Sequence, residues 1–193
     1  MGGNLYLVFF KPLIDFLGAV VLLVICLPLF TIIGIMIKLD SKGPIFFRQR
    51  RIGKDMKDFN IFKFRTMVVN NQTDQYTTSN DPRITKLGSF LRKSSLDELP
   101  QFINVLIGDM SMIGPRPSIE REIADYGLAK FKRRVVLKPG ITGLHQSTLR
   151  SKATLRQKLL LDAYYCRKCS FLLDMQIIFL TFKTVLFKPS TAN

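Results

Sequence analysis

The run from Pro12 to Ile37, PLIDFLGAVVLLVICLPLFTIIGIMI, contains one charged residue, Asp15, and it limits the folds open to this chain more than any other stretch. From Phe16 to Ile37 it predicts a helix of about 33 Å at ~1.5 Å per residue, enough for a hydrocarbon core of ~30 Å. A cleaved signal peptide does not fit. The residues before Lys11 carry no Lys or Arg, and no small-x-small cleavage site follows the run. Tyr6 stands where a myristoylation signal needs Ser or Thr. The segment is therefore expected to remain in the mature protein.

Pro28 lies deep in this run, removes a backbone hydrogen bond and should kink the helix. Two topologies satisfy the residues. Length alone favours a kinked spanning helix. However, Lys11 before the run and Lys38 and Lys42 after it put positive charge at both ends, and such residues favour the cytoplasmic side. A re-entrant hairpin with both ends on one face meets that preference.

The remaining residues call for an anionic partner. Lys and Arg number 29 against 14 Asp and Glu, a net charge of +15, yet 47% of the chain is hydrophobic, too much for a disordered basic tail. A single histidine, His145, excludes a zinc site built from several imidazoles. Cys26 sits in the apolar run, and Cys166 and Cys169 form a lone Cys-x-x-Cys, a weak metal or redox motif that suits a reducing compartment.

After Gly43-Pro44, aromatic-rich stretches flank Gly53-Lys54-Asp55 and predict a β-hairpin. The polar stretch from Asn70 to Asn80 reads as a solvated loop. Leu87, Phe90 and Leu91 make an apolar face on a basic helix that suits a membrane surface. Near the end, Phe171, Met175, Ile178, Phe182 and Val185 form a stripe on a helix that is apolar nearly all round, hence central to the core or pressed into a bilayer interface.

The candidate chemistry lies between Arg92 and Pro117, where Asp97 and Glu98 sit among basic residues. Ser95-Leu96-Asp97-Glu98 fits a capping box and Pro100 suits a first turn, so these carboxylates could do no more than cap a helix, contributing about 0.3–1 kcal/mol each. Capping does not account for their neighbours. Arg92 and Lys93 precede the pair, and Arg116 is braced by Pro115 and Pro117, a setting that suits bidentate phosphate recognition. Lys138 introduces a second turn, Pro139-Gly140, whose amides could hold a phosphate or a base.

With these residues in view, the chain resembles the small bacterial sugar transferases, the monotopic polyprenol phosphate phosphoglycosyl transferases. The similarity runs in order through the proline-containing apolar segment, Gly43-Pro44-Ile45-Phe46-Phe47, Lys63-Phe64-Arg65-Thr66-Met67, Asp81-Pro82-Arg83-Ile84-Thr85, Ser95 to Pro117, Lys138 to Gly143, and Leu161-Asp162-Ala163-Tyr164-Tyr165. This resemblance implies transfer of a sugar-1-phosphate from a UDP-sugar to polyprenyl phosphate, release of UMP and a requirement for Mg²⁺. It places the enzyme on the cytoplasmic face of the bacterial inner membrane, bound to lipids including anionic ones and serving downstream glycosyltransferases. An N-acetylated amino sugar is the expected cargo, as in many short relatives.

Carried onto this chain, the resemblance makes Asp97 the nucleophile, with Glu98 beside it in proton handling and both carboxylates as metal ligands. Arg92, Arg116, Lys138, Lys63 and Arg65 are the expected phosphate clamps, and Pro28 the break of a re-entrant helix. The expected fold is mainly helical α+β. Residues 1–40 form the membrane helix and 41–193 the catalytic domain, packed as one unit. Three departures stand out: Leu27 replaces a common Ser before Pro28, Lys138 replaces an Arg, and Leu144-His145 replace Trp-Ala. A catalytic role for His145 is not expected, since it lies outside the matched residues. Rival readings are a membrane-tethered nucleic-acid binder, supported by Arg48, Arg50 and Arg51 beside Phe46 and Phe47, and a non-catalytic scaffold. No nucleic-acid partner is expected, because the basic residues are spread along the chain.

Overall fold

A computed structural model describes residues 5–69, 81–149 and 153–187, with backbone only for 185–187. The polar stretch 70–80, read as a loop, lies outside the described residues. The fold is mainly helical α+β. After a π-helical turn at Tyr6–Phe10 come α1 (Lys11–Asp40), β1 (Phe46–Ile52), β2 (Asp58–Phe64), α2 (Lys86–Ser94), α3 (Gln101–Leu106) and β3 (Ser111–Ile113). Then follow α4 (Arg121–Tyr126), α5 (Leu128–Arg134), β4 (Gly140–Thr142), α6 (Leu144–Thr148), α7 (Leu155–Lys168) and α8 (Phe171–Phe187).

The hairpin forms where expected: β1 and β2 are antiparallel, in register from Phe46 opposite Phe64 to Ile52 opposite Asp58. Alternation along β2 turns Phe59 and Ile61 inward, and Phe64, on the other face, is buried against Ile33, Ile37 and Leu91. Asn104, fully buried on α3, completes the edge of β2. Its Oδ1 accepts from the Phe62 amide at 2.9 Å and its Nδ2 donates to the Asn60 carbonyl at 2.8 Å. Without that side chain two strand groups would lose their partners, at about 1–3 kcal/mol each.

Helix α1 runs from Lys11 to Asp40 with Pro28 inside it. Thr31 Oγ1 donates back to the Leu27 carbonyl at 3.1 Å, so a hydroxyl is present one turn beyond the proline although Leu27 has none. Ala19 packs with Phe59, Ile61, Phe102, Val105 and Met110, while Ile33 and Ile37 pack with Phe64 and Leu91. Both ends of α1 are fastened to the same body. At the start, Lys11 Nζ lies 2.8 Å from the buried Asp174 carboxylate on α8, which also accepts from the hydroxyls of Tyr6 and Tyr165. Asp15, the lone acid of the run, accepts from Ser111 Oγ at 2.7 Å and the Met112 amide at 3.0 Å. Between the ends, Val21, Val24, Ile25 and Leu27 are exposed. Among the described residues this is the one helix long and apolar enough to cross a membrane by length and composition.

Two helices turn phenylalanines outward. On α2, Leu91 is buried and packs with Ile33 and Ile37, but Phe90 points outward at 59% exposure. On α8 the stripe faces outward: Phe171, Met175 and Phe182 are exposed, Ile178 is half-buried, and the protein-facing side carries Asp174, Ile177 and Thr181. Asp174 needs its three polar partners more than the phenylalanines need burial, since an unpaired buried carboxylate is far costlier than an exposed ring. The side chain of Val185 is outside the description.

Candidate active site

Asp97 and Glu98 occupy a 3-10 turn, Leu96–Glu98, between α2 and α3. The chain enters it through Ser95, which is left-handed at φ 59°, ψ 16°, and whose amide donates to the Arg92 carbonyl at 3.2 Å. The expected capping box is absent. Ser95 makes no side-chain cap, and the Glu98 carboxylate turns to Lys63 Nζ at 2.6 Å, because an ammonium outcompetes a neutral amide for an anion. The carboxylates are thereby left to the site.

Lys63, from the end of β2, also lies 3.9 Å from Asp97 Oδ2, and Arg116 Nη2 lies 3.8 Å from Glu98 Oε1. Burial raises the Asp97 pKa, the Glu98 charge adds to the rise, and Lys63 and Arg92 oppose it, leaving the carboxyl at about 6. For Glu98 burial pulls the same way, but Lys63 and Arg116 outweigh it and hold that carboxyl below the usual range. Two adjacent acids are thus separated in acidity by their cationic neighbours.

Arg92 stands behind Asp97, half-buried, its Nε donating to Thr66 Oγ1 at 2.9 Å. Arg116 is exposed, and its loop is fixed from behind. Arg134 Nη2 donates to the Arg116 carbonyl at 3.2 Å and Nη1 to Ser118 Oγ at 2.5 Å. Arg134 in turn pairs with Glu122 at 2.8 Å and with fully buried Asp162 at 2.5 Å. His145 Nδ1 lies 2.8 Å from the other Asp162 oxygen, which gives this histidine a structural place.

The loops carrying Arg116 and Gly140 meet through glycines. Strands β3 and β4 are parallel, and a Cβ on Gly140 would come within 2.0 Å of the Gly114 nitrogen. The Gly140 amide, an expected phosphate donor, is used by the Pro115 carbonyl at 2.8 Å.

Two expected clamps lie elsewhere. Arg65 is buried and caps the end of α1, donating to the carbonyls of Ile37 and Ser41 at 3.1 and 2.6 Å. Gly43, at φ 131°, leaves space for it, since a Cβ there would meet Arg65 Nη1 at 2.1 Å. Lys138 lines a separate depression beside Gly108, Asp109 and the hairpin turn. In contrast, Arg51, Gln101 and Gln146 line the cleft with Lys63, Glu98 and Arg116. Arg51 was visible only as one base in a cationic run, and the two glutamines carried no sequence signal because neutral amides have no charge pattern. Burial first, and then Arg116, lower the Arg51 pKa to about 10, so it stays cationic at neutral pH. The three cysteines are thiols; Cys166 and Cys169 donate to the Arg134 carbonyl and Tyr165 hydroxyl, contacts that place them in packing rather than in a metal or redox motif.

Among the described residues no group of three or more His, Cys, Asp and Glu side chains could hold a metal. Two adjacent carboxylates nevertheless fit Mg²⁺, which is usually bound by one or two carboxylates together with substrate phosphates and water.

The sequence matches the bacterial sugar transferase family over residues 6–188, and the chain belongs to that family. It is 44% identical over 191 residues to a UDP-glucose:undecaprenyl-phosphate glucose-1-phosphate transferase of Xanthomonas campestris pv. campestris, covering 94% of this chain and 40% of the relative. A UDP-N-acetylgalactosamine-undecaprenyl-phosphate N-acetylgalactosaminephosphotransferase of Aeromonas hydrophila is 40% identical, covering 92% and 44%. The exopolysaccharide production protein ExoY of Sinorhizobium fredii is 37% identical, covering 91% and 84%. The chain spans about 40% of the length of the first two of these relatives.

Proposed function

We propose that this protein transfers a sugar-1-phosphate from a UDP-sugar to undecaprenyl phosphate, releasing UMP, as a membrane step of polysaccharide assembly. The observation that carries the reading is the asymmetric carboxylate pair, with Asp97 buried among Lys63, Arg92 and Glu98. An Asp97 oxygen attacks the phosphorus attached to the sugar, and the bond to UMP breaks with its electron pair leaving on UMP. Lys63 and Arg116 balance charge on the diphosphate. An oxygen of the lipid phosphate then attacks the same phosphorus and releases the Asp97 carboxylate, so each step exchanges one phosphorus–oxygen bond for another. Asp97 and Glu98 are the residues to hold Mg²⁺, which when bound neutralises the diphosphate and the departing UMP. UMP release from a panel of UDP-sugars, with undecaprenyl phosphate in membranes, tests the reading. An N-acetylated amino sugar is the donor to try first, against the glucose donor in the name of the Xanthomonas relative. Release of UDP instead of UMP would identify a plain glycosyltransferase, and no release would favour a scaffold.

The acidity of Asp97 has a kinetic consequence. Burial raises the Asp97 pKa above the ordinary carboxylate range, and a protonated carboxyl cannot attack, so the single-turnover rate of UMP release should fall as pH is lowered. Lys63→Met removes a cation that lowers this pKa, so the acid limb should move to higher pH. A limb unmoved in that variant would show that another group titrates.

We read α1 as re-entrant, with residues 1–40 and 41–193 acting as one unit on the cytoplasmic face. Support comes from the attachments of Lys11 to Asp174 and of Arg65 to the other end of α1, which hold both ends against one body. The exposed apolar middle of α1, Phe90 and the outer face of α8 would enter the bilayer interface, where anionic lipids meet the basic surface. Thiols introduced at Asn4 and Lys42 should both be labelled by an impermeant reagent only after cells are permeabilised. Labelling of position 4 in intact cells would mean that α1 spans.

A further inference from the structure

We propose that Gln146 and Arg51 form a subsite that reads an N–H group lying beside a carbonyl on the sugar nucleotide. The inference rests on the phosphoglycosyl transfer reading. Both residues line the cleft that holds Lys63, Glu98 and Arg116. Gln146 Nε2 donates to the Ile141 carbonyl at 3.3 Å, which orients the amide and leaves Oε1 as the acceptor. That oxygen is buried without a hydrogen-bond partner among the described residues. Arg51 Nη2 donates to Gln49 Oε1 at 2.5 Å, while its Nε is also buried without a partner among the described residues. Gly143 makes room for the glutamine, since a Cβ there would come within 2.8 Å of Oε1.

A buried acceptor and a buried donor left open in one cleft wall are costly unless a ligand completes them. Phosphate offers only acceptors, so it would satisfy Arg51 and leave Gln146 unpaired. A sugar hydroxyl can donate to Gln146 or accept from Arg51, but its rotatable O–H does not fix a donor beside an acceptor. An N–H next to a C=O meets both, and a UDP-sugar carries this chemistry in two places: the imide edge of uracil and the acetamido group of an N-acetylated sugar. Discrimination built on hydrogen bonds to buried groups is strong, because the wrong ligand leaves those groups unpaired.

Calorimetric titration of the full chain in lipid nanodiscs separates the two sources. Asp97→Asn is carried throughout so that binding is read without turnover. One pair of probes is UMP and 3-N-methyl-UMP; the other is UDP-N-acetylgalactosamine and UDP-galactose. The chain with Gln146 intact should bind the probe lacking the N–H roughly tenfold more weakly in one pair. Gln146→Leu should erase that difference, and Gln146→Glu, which keeps an acceptor if the leucine variant unfolds, should retain it. Erasure in the first pair assigns the subsite to uracil, and in the second to the acetamido group. Differences of equal size in Gln146 and Gln146→Leu proteins, for both pairs, would overturn the subsite while leaving the transferase reading intact. Failure of the Gln146-intact chain to bind any of the four probes would instead overturn that reading, and the subsite with it.

Discussion

Asp97→Asn should fold, bind membranes and release no UMP, with turnover lower by more than about three orders of magnitude, the scale for removing a covalent nucleophile. The amide matches the acid in size. The Asp97 side chain is not needed as a cap, since the turn is closed by the backbone bonds from Glu98 to Ser95 and from Leu99 to Leu96. Stability should hold or rise slightly at neutral pH. The folded pKa of Asp97 lies above its ordinary value, so the group favours folding while protonated and that contribution is lost as pH rises through about 6. Asn has no charge to bury. Mass spectrometry after rapid acid quench should find a sugar-phosphate adduct on the parent given UDP-sugar alone, none on Asp97→Asn, and loss of the adduct when lipid phosphate is added. An active Asn variant and no trapped adduct would favour direct displacement by the lipid phosphate.

Removing Asp162 should produce the largest loss of stability. Its carboxylate joins Arg134 and His145, and the Arg134 and Asp162 side chains are each 1% exposed. Asp162→Ala leaves the guanidinium buried with Glu122 as its remaining acid, and breaking such a pair costs about 3–5 kcal/mol. For a chain of this size that corresponds to roughly 10 °C in Tm. Activity should fall beyond what unfolding explains, because Arg134 holds the carbonyl of Arg116. Asp162→Asn, which keeps an acceptor, should lose less on both measures. An Ala variant with unchanged Tm would mean that water enters and replaces the carboxylate.

How much was readable from the residues differs between parts of the chain. The hairpin follows from aromatic-rich stretches on either side of Gly53-Lys54-Asp55, a local signal that tertiary contacts reinforce through Asn104. The acidic pair was equally visible, because charges set among charges stand out. The capping box was misread: its pattern is local, but the competition for Glu98 came from Lys63 on a distant strand. Similarly, Arg65 carries the charge of a clamp, but α1 ends next to it and its carbonyls claim the guanidinium.

What the amino-acid sequence determines by itself is a long apolar α1, a β-hairpin, a surplus of cations and a carboxylate pair among them, because period, charge and turn chemistry act within a few residues. Tertiary structure alone decides which side of α8 faces inward. Periodicity marks a stripe of phenylalanines but cannot say whether protein or lipid covers it, and the contest is won by Asp174, whose partners Lys11, Tyr6 and Tyr165 come from other parts of the chain. The same holds for the cleft. Arg51, Lys63, Glu98, Arg116 and Gln146 line one cleft because Lys63 of the hairpin pairs with Glu98 while β3 and β4 approach through Gly114 and Gly140, and no local pattern encodes a meeting of segments so far apart.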